Sequence, residues 1–187
     1  MKLFFSIVFF LFSESIVAQE TPMKYYTVKE GLANSLVPSI FQDKQGNMWF
    51  PTLGGGVSKF NGSVFKTYGI EQGLTNQLIR SVTEDATGRI LFGSMGAGVF
   101  YTENDTILAF KNDSLPKEIF ALQTDKKGVI WAATNGGVYQ LFGKDSIIPF
   151  SENNKLPIYA VTHINCDADG NVWFAYDSEY GFVSVFK

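Results

Sequence analysis

Cysteine and histidine each occur once in this 187-residue chain, as Cys166 and His163. A single cysteine excludes an intrachain disulfide, so no disulfide framework holds the fold. A single histidine, with no cluster of carboxylates or cysteines at ligand spacing, matches no metal motif, and neither a metal nor a cofactor is expected. Cations are few and scattered: 15 Lys and Arg against 18 Asp and Glu leave a net charge of −3. Nucleic acid demands clustered positive charge, so it is excluded as a partner. Beyond residue 12 there is no apolar run long enough to span a bilayer, and no membrane span is expected.

Aromatic residues and glycine, by contrast, are abundant. Phe, Tyr and Trp make up 16% of the chain and there are 18 glycines, a mixture that favours short pleated strands joined by tight turns. The N-terminus has its own character. Lys2 precedes an apolar stretch from Leu3 to Phe12, a polar break follows at Ser13-Glu14-Ser15, and the small residue Ala18 precedes Gln19. This layout is that of a secretory signal over residues 1–18, cut after Ala18, with an uncleaved anchor as the alternative. An exported, periplasmic or extracellular product follows from it.

A repeat organises residues 19–187. Asp43-Lys-Gln-Gly-Asn-Met-Trp-Phe50 is echoed by Asp85-Ala-Thr-Gly-Arg-Ile-Leu-Phe92, Asp125-Lys-Lys-Gly-Val-Ile-Trp-Ala132 and Asp167-Ala-Asp-Gly-Asn-Val-Trp-Phe174. Gly46, Gly88, Gly128 and Gly170 fall 42, 40 and 42 residues apart. Upstream, Glu30-Gly-Leu-Ala-Asn34 matches Gln72-Gly-Leu-Thr-Asn76, with shorter relics at 113–116 and 154–157. Downstream come Gly54-Gly-Gly-Val57, Gly96-Ala-Gly-Val99 and Gly136-Gly-Val138, with Tyr180-Gly-Phe182 in that place in the last unit. In the first unit the pattern predicts strands over 39–42, 47–52, 57–60 and 64–68, with Asn61-Gly62 as a two-residue hairpin turn. Four strands in about 42 residues, repeated, predict an all-β protein: a β-propeller of about four four-stranded blades, an open part of a larger ring. Blade cores are expected near 37–68, 79–110, 119–150 and 161–187.

The repeated residues are architectural. Each aspartate closes a turn onto backbone amides and each glycine takes the left-handed conformation there. Trp49, Trp131 and Trp173, with Leu91 in the same column, act as wedges between blades. Asp167-Ala-Asp-Gly-Asn171 lies in the turn column and lacks the later ligands of a calcium loop. Asn61, Asn104 and Asn112 fit the glycosylation acceptor pattern but also sit at expected turns. Cys166 reads as an incidental thiol.

The run from Glu30 through Ser39-Ile-Phe-Gln-Asp43, Gly46-Asn-Met-Trp-Phe50, Gly54-Gly-Gly-Val-Ser-Lys-Phe60 and Asn61-Gly-Ser-Val-Phe-Lys-Thr-Tyr68 resembles the two-component regulator propeller repeat. The second unit matches nearly as well and the third and fourth keep the Asp-x-x-Gly-x-x-Trp core, so the resemblance covers nearly all of the chain beyond residue 18. It implies the periplasmic sensor region of a bacterial two-component system, with an oligosaccharide or another small molecule as ligand. The family's downstream modules and kinase are absent from these 187 residues, so no kinase activity is implied.

Both ends are out of phase with a self-contained blade set. Residues 23–31 align with 65–73 and are expected to form an extra outer strand, while 182–186 align with a third strand that has no fourth. A fragment or truncated relative of a longer sensor is therefore expected, with exposed end blades that favour self-association. A ligand face is expected where loops enter the inner strands, at Asn34, Asn76, Gln77, Arg80, Lys117 and Tyr159, and where second strands turn into third, at Ser94 and Asn135. No catalytic residue is assigned. The alternative is a propeller lyase or hydrolase using His163, which shares a column with Ser39, Ser81 and Ala121; another is a truncated sensor without function.

Overall fold

A computed structural model describes residues 23–150, 156, 159–179 and 181–187. The segment expected to direct export, and most of the 154–157 relic, lie outside these residues. Four separate antiparallel sheets follow one another along the chain. The first holds β1 (Phe41–Gln42), β2 (Met48–Thr52), β3 (Gly56–Phe60) and β4 (Phe65–Tyr68). The second holds β5 (Ile79–Glu84), β6 (Ile90–Ser94), β7 (Val99–Glu103) and β8 (Thr106–Ala109). The third holds β9 (Ile119–Thr124), β10 (Ile130–Thr134), β11 (Gly137–Phe142) and β12 (Ser146–Pro149). The fourth has three strands among the described residues: β13 (Ala160–Cys166), β14 (Val172–Asp177) and β15 (Val183–Phe186). These are propeller blades, each paired in chain order, with β9 packed between β5 and β13 along the inner side.

Every blade turns from its first to its second strand by the same chemistry. Asp43 Oδ1 accepts the amides of Gln45 and Asn47 at 3.0 and 2.8 Å, and the Gly46 amide donates to the Asp43 carbonyl at 2.9 Å. Gly46 has φ +86°, a conformation that costs a side-chain-bearing residue about 1 kcal/mol or more. The second carboxylate oxygen reaches six residues ahead. It accepts the indole Nε1–H of Trp49 at 2.7 Å, and Asp125 and Asp167 accept those of Trp131 and Trp173, each at 2.9 Å. In the second blade Leu91 offers no donor, and Arg89 Nε supplies the bond to Asp85 at 2.6 Å. Aspartate and tryptophan are thus one unit: the turn holds the wedge at a fixed angle.

The core consists of three apolar clusters lying between successive blades. Trp49 projects from the first blade into the second, with ring centroids 5.5 Å from Tyr68 and 5.6 Å from Phe92. Leu91 enters a cluster with Phe110 and Ala132. Trp131 meets Phe150 at 4.7 Å and Phe174 at 5.7 Å. Burying each such side chain is worth about 1.5–3 kcal/mol, so these contacts are a main source of cohesion between blades.

Three expectations need correction. The inner strand expected over 39–42 is only Phe41–Gln42, because Pro38 has no N–H for a ladder bond and the chain is still outside the sheet at Ser39. The outer strand expected over 23–31 does not form. Val28–Glu30 is a 3-10 turn capped by Thr27, the counterpart of the turn at Ile70–Gln72, and residues 23–27 have no third strand beside them among the described residues. Asn61-Gly62 is part of a four-residue loop in which the Asn61 side chain accepts the Ser63 and Val64 amides at 3.0 and 2.9 Å. The two-residue turn with both φ positive occurs at Asn104-Asp105, between β7 and β8.

Candidate functional site

The inner strands line a concave groove bordered by Ile40, Leu53, Arg80, Met95, Phe120, Gln123 and His163. Its geometry comes from a recurrent irregularity. Pairing skips Arg80 between Ile79 and Ser81, Phe120 between Ile119 and Ala121, and Thr162 between Val161 and His163. A β-bulge therefore falls at the same column in three successive blades, and bulges re-aim the side chains they carry. Arg80 and Phe120 are brought together in this way: the guanidinium carbon lies 5.0 Å from the Phe120 ring centroid. Both side chains are half-buried. The pair joins a planar cation to an apolar face.

The charge of the groove is one-sided. Its lining contains Arg80 and His163 and no Asp or Glu. None of the ion pairs among the described residues includes Arg80. His163 is exposed, with Nδ1 3.1 Å from Thr162 Oγ1. Among the described residues no group of three or more His, Cys, Asp or Glu converges as a metal site would require.

The other residues expected at a ligand face have structural work to do. Ser94 is completely buried, which corrects its assignment: its hydroxyl donates to the Gly98 carbonyl at 2.8 Å and accepts the Ala97 amide at 3.1 Å. Thr52 and Thr134 close the same turn in their blades. Gln77 and Lys117 act through their carbonyls. Gln77 accepts the Gly54 and Gly56 amides at 3.0 and 3.2 Å, and Lys117 accepts those of Gly96 and Gly98 at 2.9 and 2.8 Å, tying each blade to the strand that starts the next. The close approach at Gly56 explains the glycine there, since a Cβ would lie 2.3 Å from the Tyr68 carbonyl oxygen.

Asn34 and Asn76 fold back onto the amides of Leu36 and Leu78 at 2.9 and 2.7 Å, and Asn76 also donates to the Met95 carbonyl. Asn135 donates to Glu118 at 3.0 Å. Tyr159 is exposed and packs its edge on Phe182. Of the eight expected residues, Arg80 lines the groove. Phe120 was not anticipated; its column mates are Pro38, Arg80 and Thr162, so residue type carried no signal.

A second recess between the first two blades is lined by Asp43, Lys59, Tyr68, Arg89, Glu103 and Asp105. Its charges are partnered: Arg89 pairs with Asp85, Lys66 and Tyr68 with Asp105, and Lys144 with Glu103. The Lys66 ammonium lowers the Asp105 carboxyl below its usual range, and the Tyr68 phenol adds to this. Such a network holds blades together.

Residues 31–50 match the model of the two-component regulator propeller family. Among solved structures the chain is similar to extracellular domains of two B. thetaiotaomicron proteins described as hybrid two-component systems. One is 24% identical with a TM-score of 0.68, over 82% of this chain and 22% of that one. The other is 20% identical with a TM-score of 0.61, over 76% and 21%. Virginiamycin B lyase from Staphylococcus aureus is 16% identical with a TM-score of 0.60, over 79% and 54%. At these identities the likeness is one of fold. The chain spans about a fifth of those extracellular domains and about half of the lyase. A search of curated proteins finds no match. The chain thus has blades similar in fold to those of the extracellular domains of these two-component proteins.

Proposed function

We propose that these blades belong to an exported ligand-sensing propeller that binds an oligosaccharide in the concave groove without transforming it. The observation that carries this reading is the Arg80–Phe120 cation–π pair at the repeated bulge. An arene face suits the apolar face of a sugar ring, and a guanidinium without an acidic partner suits ring hydroxyls and above all a carboxylate or sulfate. A groove lined by Arg80 and His163 and by no acid favours sugars that carry such groups. Export is supported by the apolar Leu3–Phe12 segment and by the extracellular location stated for the sensor domains of similar fold.

The lyase likeness and the position of His163 in the groove support a second reading, turnover by a propeller enzyme. Incubation with neutral, uronate-containing and sulfated oligosaccharides, read by calorimetry and by mass spectrometry of the recovered sugar, separates the two. Saturable binding with intact sugar is expected. A product that disappears in His163→Ala would establish the enzyme instead.

A further inference from the structure

The three internal interfaces share one design, and that design leaves two halves over. In each, a wedge from one blade is received by two columns: the last residue of the outer strand or its continuation, and the residue after the wedge position in the next blade's second strand. Trp49 is received by Tyr68 and Phe92, Leu91 by Phe110 and Ala132, and Trp131 by Phe150 and Phe174. The next wedge is Trp173. It is 42% exposed where Trp49 and Trp131 are 2% and 1% exposed, although its bond to Asp167 holds it as firmly in place. Its cross-strand neighbour Val185 and, two residues away on the same side of β15, Val183 are also exposed.

The receiving columns, followed back one repeat, give Phe50 on the first blade and Tyr26 in the segment that precedes it. Tyr26 stands 42 residues before Tyr68, and Phe50 stands 42 before Phe92. Tyr26 packs on Phe60 and Phe65 at 5.0 and 5.5 Å, and Phe50 lies 5.9 Å from Phe65. They form an aromatic seat that receives no wedge among the described residues.

We propose that a second copy of this chain docks head to tail, inserting Trp173 of one copy into the Tyr26–Phe50 seat of the other. The contact continues the interface already formed three times within the chain, with the same ring types in the same columns. It is heterologous, so it joins unlike faces and closes into a ring or extends as a chain according to the angle between blades.

Sedimentation velocity over a concentration series tests this with wild type, Trp173→Lys, Phe50→Lys and an equimolar mixture of the two variants. Circular dichroism checks that each variant is folded. The wild type is expected to associate, and each variant alone to dissociate at least about tenfold more readily. The mixture is expected to recover a one-to-one pair, because one partner keeps its wedge and the other its seat. A wild type that stays monomeric at all concentrations overturns the proposal, as does association that survives both substitutions or a mixture that does not pair. A monomer that pairs only with further blades of the same repeat also overturns it, since the occupant is then not a second copy.

Discussion

The smallest working unit is an aspartate and the tryptophan six residues after it. Asp167 shows its electrostatics most clearly. The Trp173 indole N–H and then the Asn171 amide stabilise its charge and lower its pKa to about 2. At Asp43 burial acts first and pushes the carboxyl up, but the bonds from Trp49, Asn47 and Gln45 outweigh it and the net shift is downward. At Asp85 burial is likewise outweighed by Thr87 and Arg89.

A depressed folded-state pKa means that the stabilisation is complete above the unfolded value of about 4 and is lost as pH falls through the folded one. For Asp167 the loss therefore falls between about pH 4 and pH 2. Carboxyl NMR should place its midpoint near 2 in the wild type and distinctly higher in Trp173→Phe, which keeps a ring but loses the donor. An unchanged midpoint would show that the indole bond is not the cause. The spacing of six was present in three units of the sequence, yet turn and wedge were read separately, because a sequence displays spacing but not which lone pair faces which N–H.

At the scale of strands and blades, stability depends on whether a wedge has a neighbour. Trp131→Ala removes a fully enclosed ring and should cost about 3–5 kcal/mol in chemical denaturation. Trp173→Ala removes a half-open one and should cost clearly less in dilute protein. Equal losses would mean that the two wedges do not differ in environment.

The blades themselves were legible because their punctuation is local: Asp-x-x-Gly closes a turn by its own atoms wherever it occurs. The bulges were not. Arg80, Phe120 and Thr162 have no chemistry in common, and what unites them is a skipped position in the pairing with β6, β10 and β14. Ser94 was misread for a related reason. Its hydroxyl column with Thr52 and Thr134 is visible in the sequence, but a repeated hydroxyl suits a ligand face and a buried turn equally well until burial is known. Pro38, by contrast, was a readable signal that the first inner strand would be short.

At the scale of the molecule, the blades form a fan whose inner edge is a groove lined by Arg80 and His163 and by no acid, and whose end blades expose Trp173 at one end and Tyr26 at the other. No helix among the described residues is long and apolar enough to cross a membrane. The wedges and the rings that receive them are absent from the groove lining, so ligand affinity and blade packing should respond to different substitutions at Arg80 and at Trp131.

Calorimetric titration of the best-binding oligosaccharide into wild type, Arg80→Ala, Phe120→Ala and Asn135→Ala tests the groove most directly. Loss of a charge-assisted bond is worth about 1.5–3 kcal/mol, so Arg80→Ala should weaken binding by roughly ten- to a hundredfold. Phe120→Ala should weaken it comparably, and Asn135→Ala, which lies outside the groove lining, should leave it unchanged. Affinity that is indifferent to Arg80 and Phe120 would contradict a ligand site in the groove.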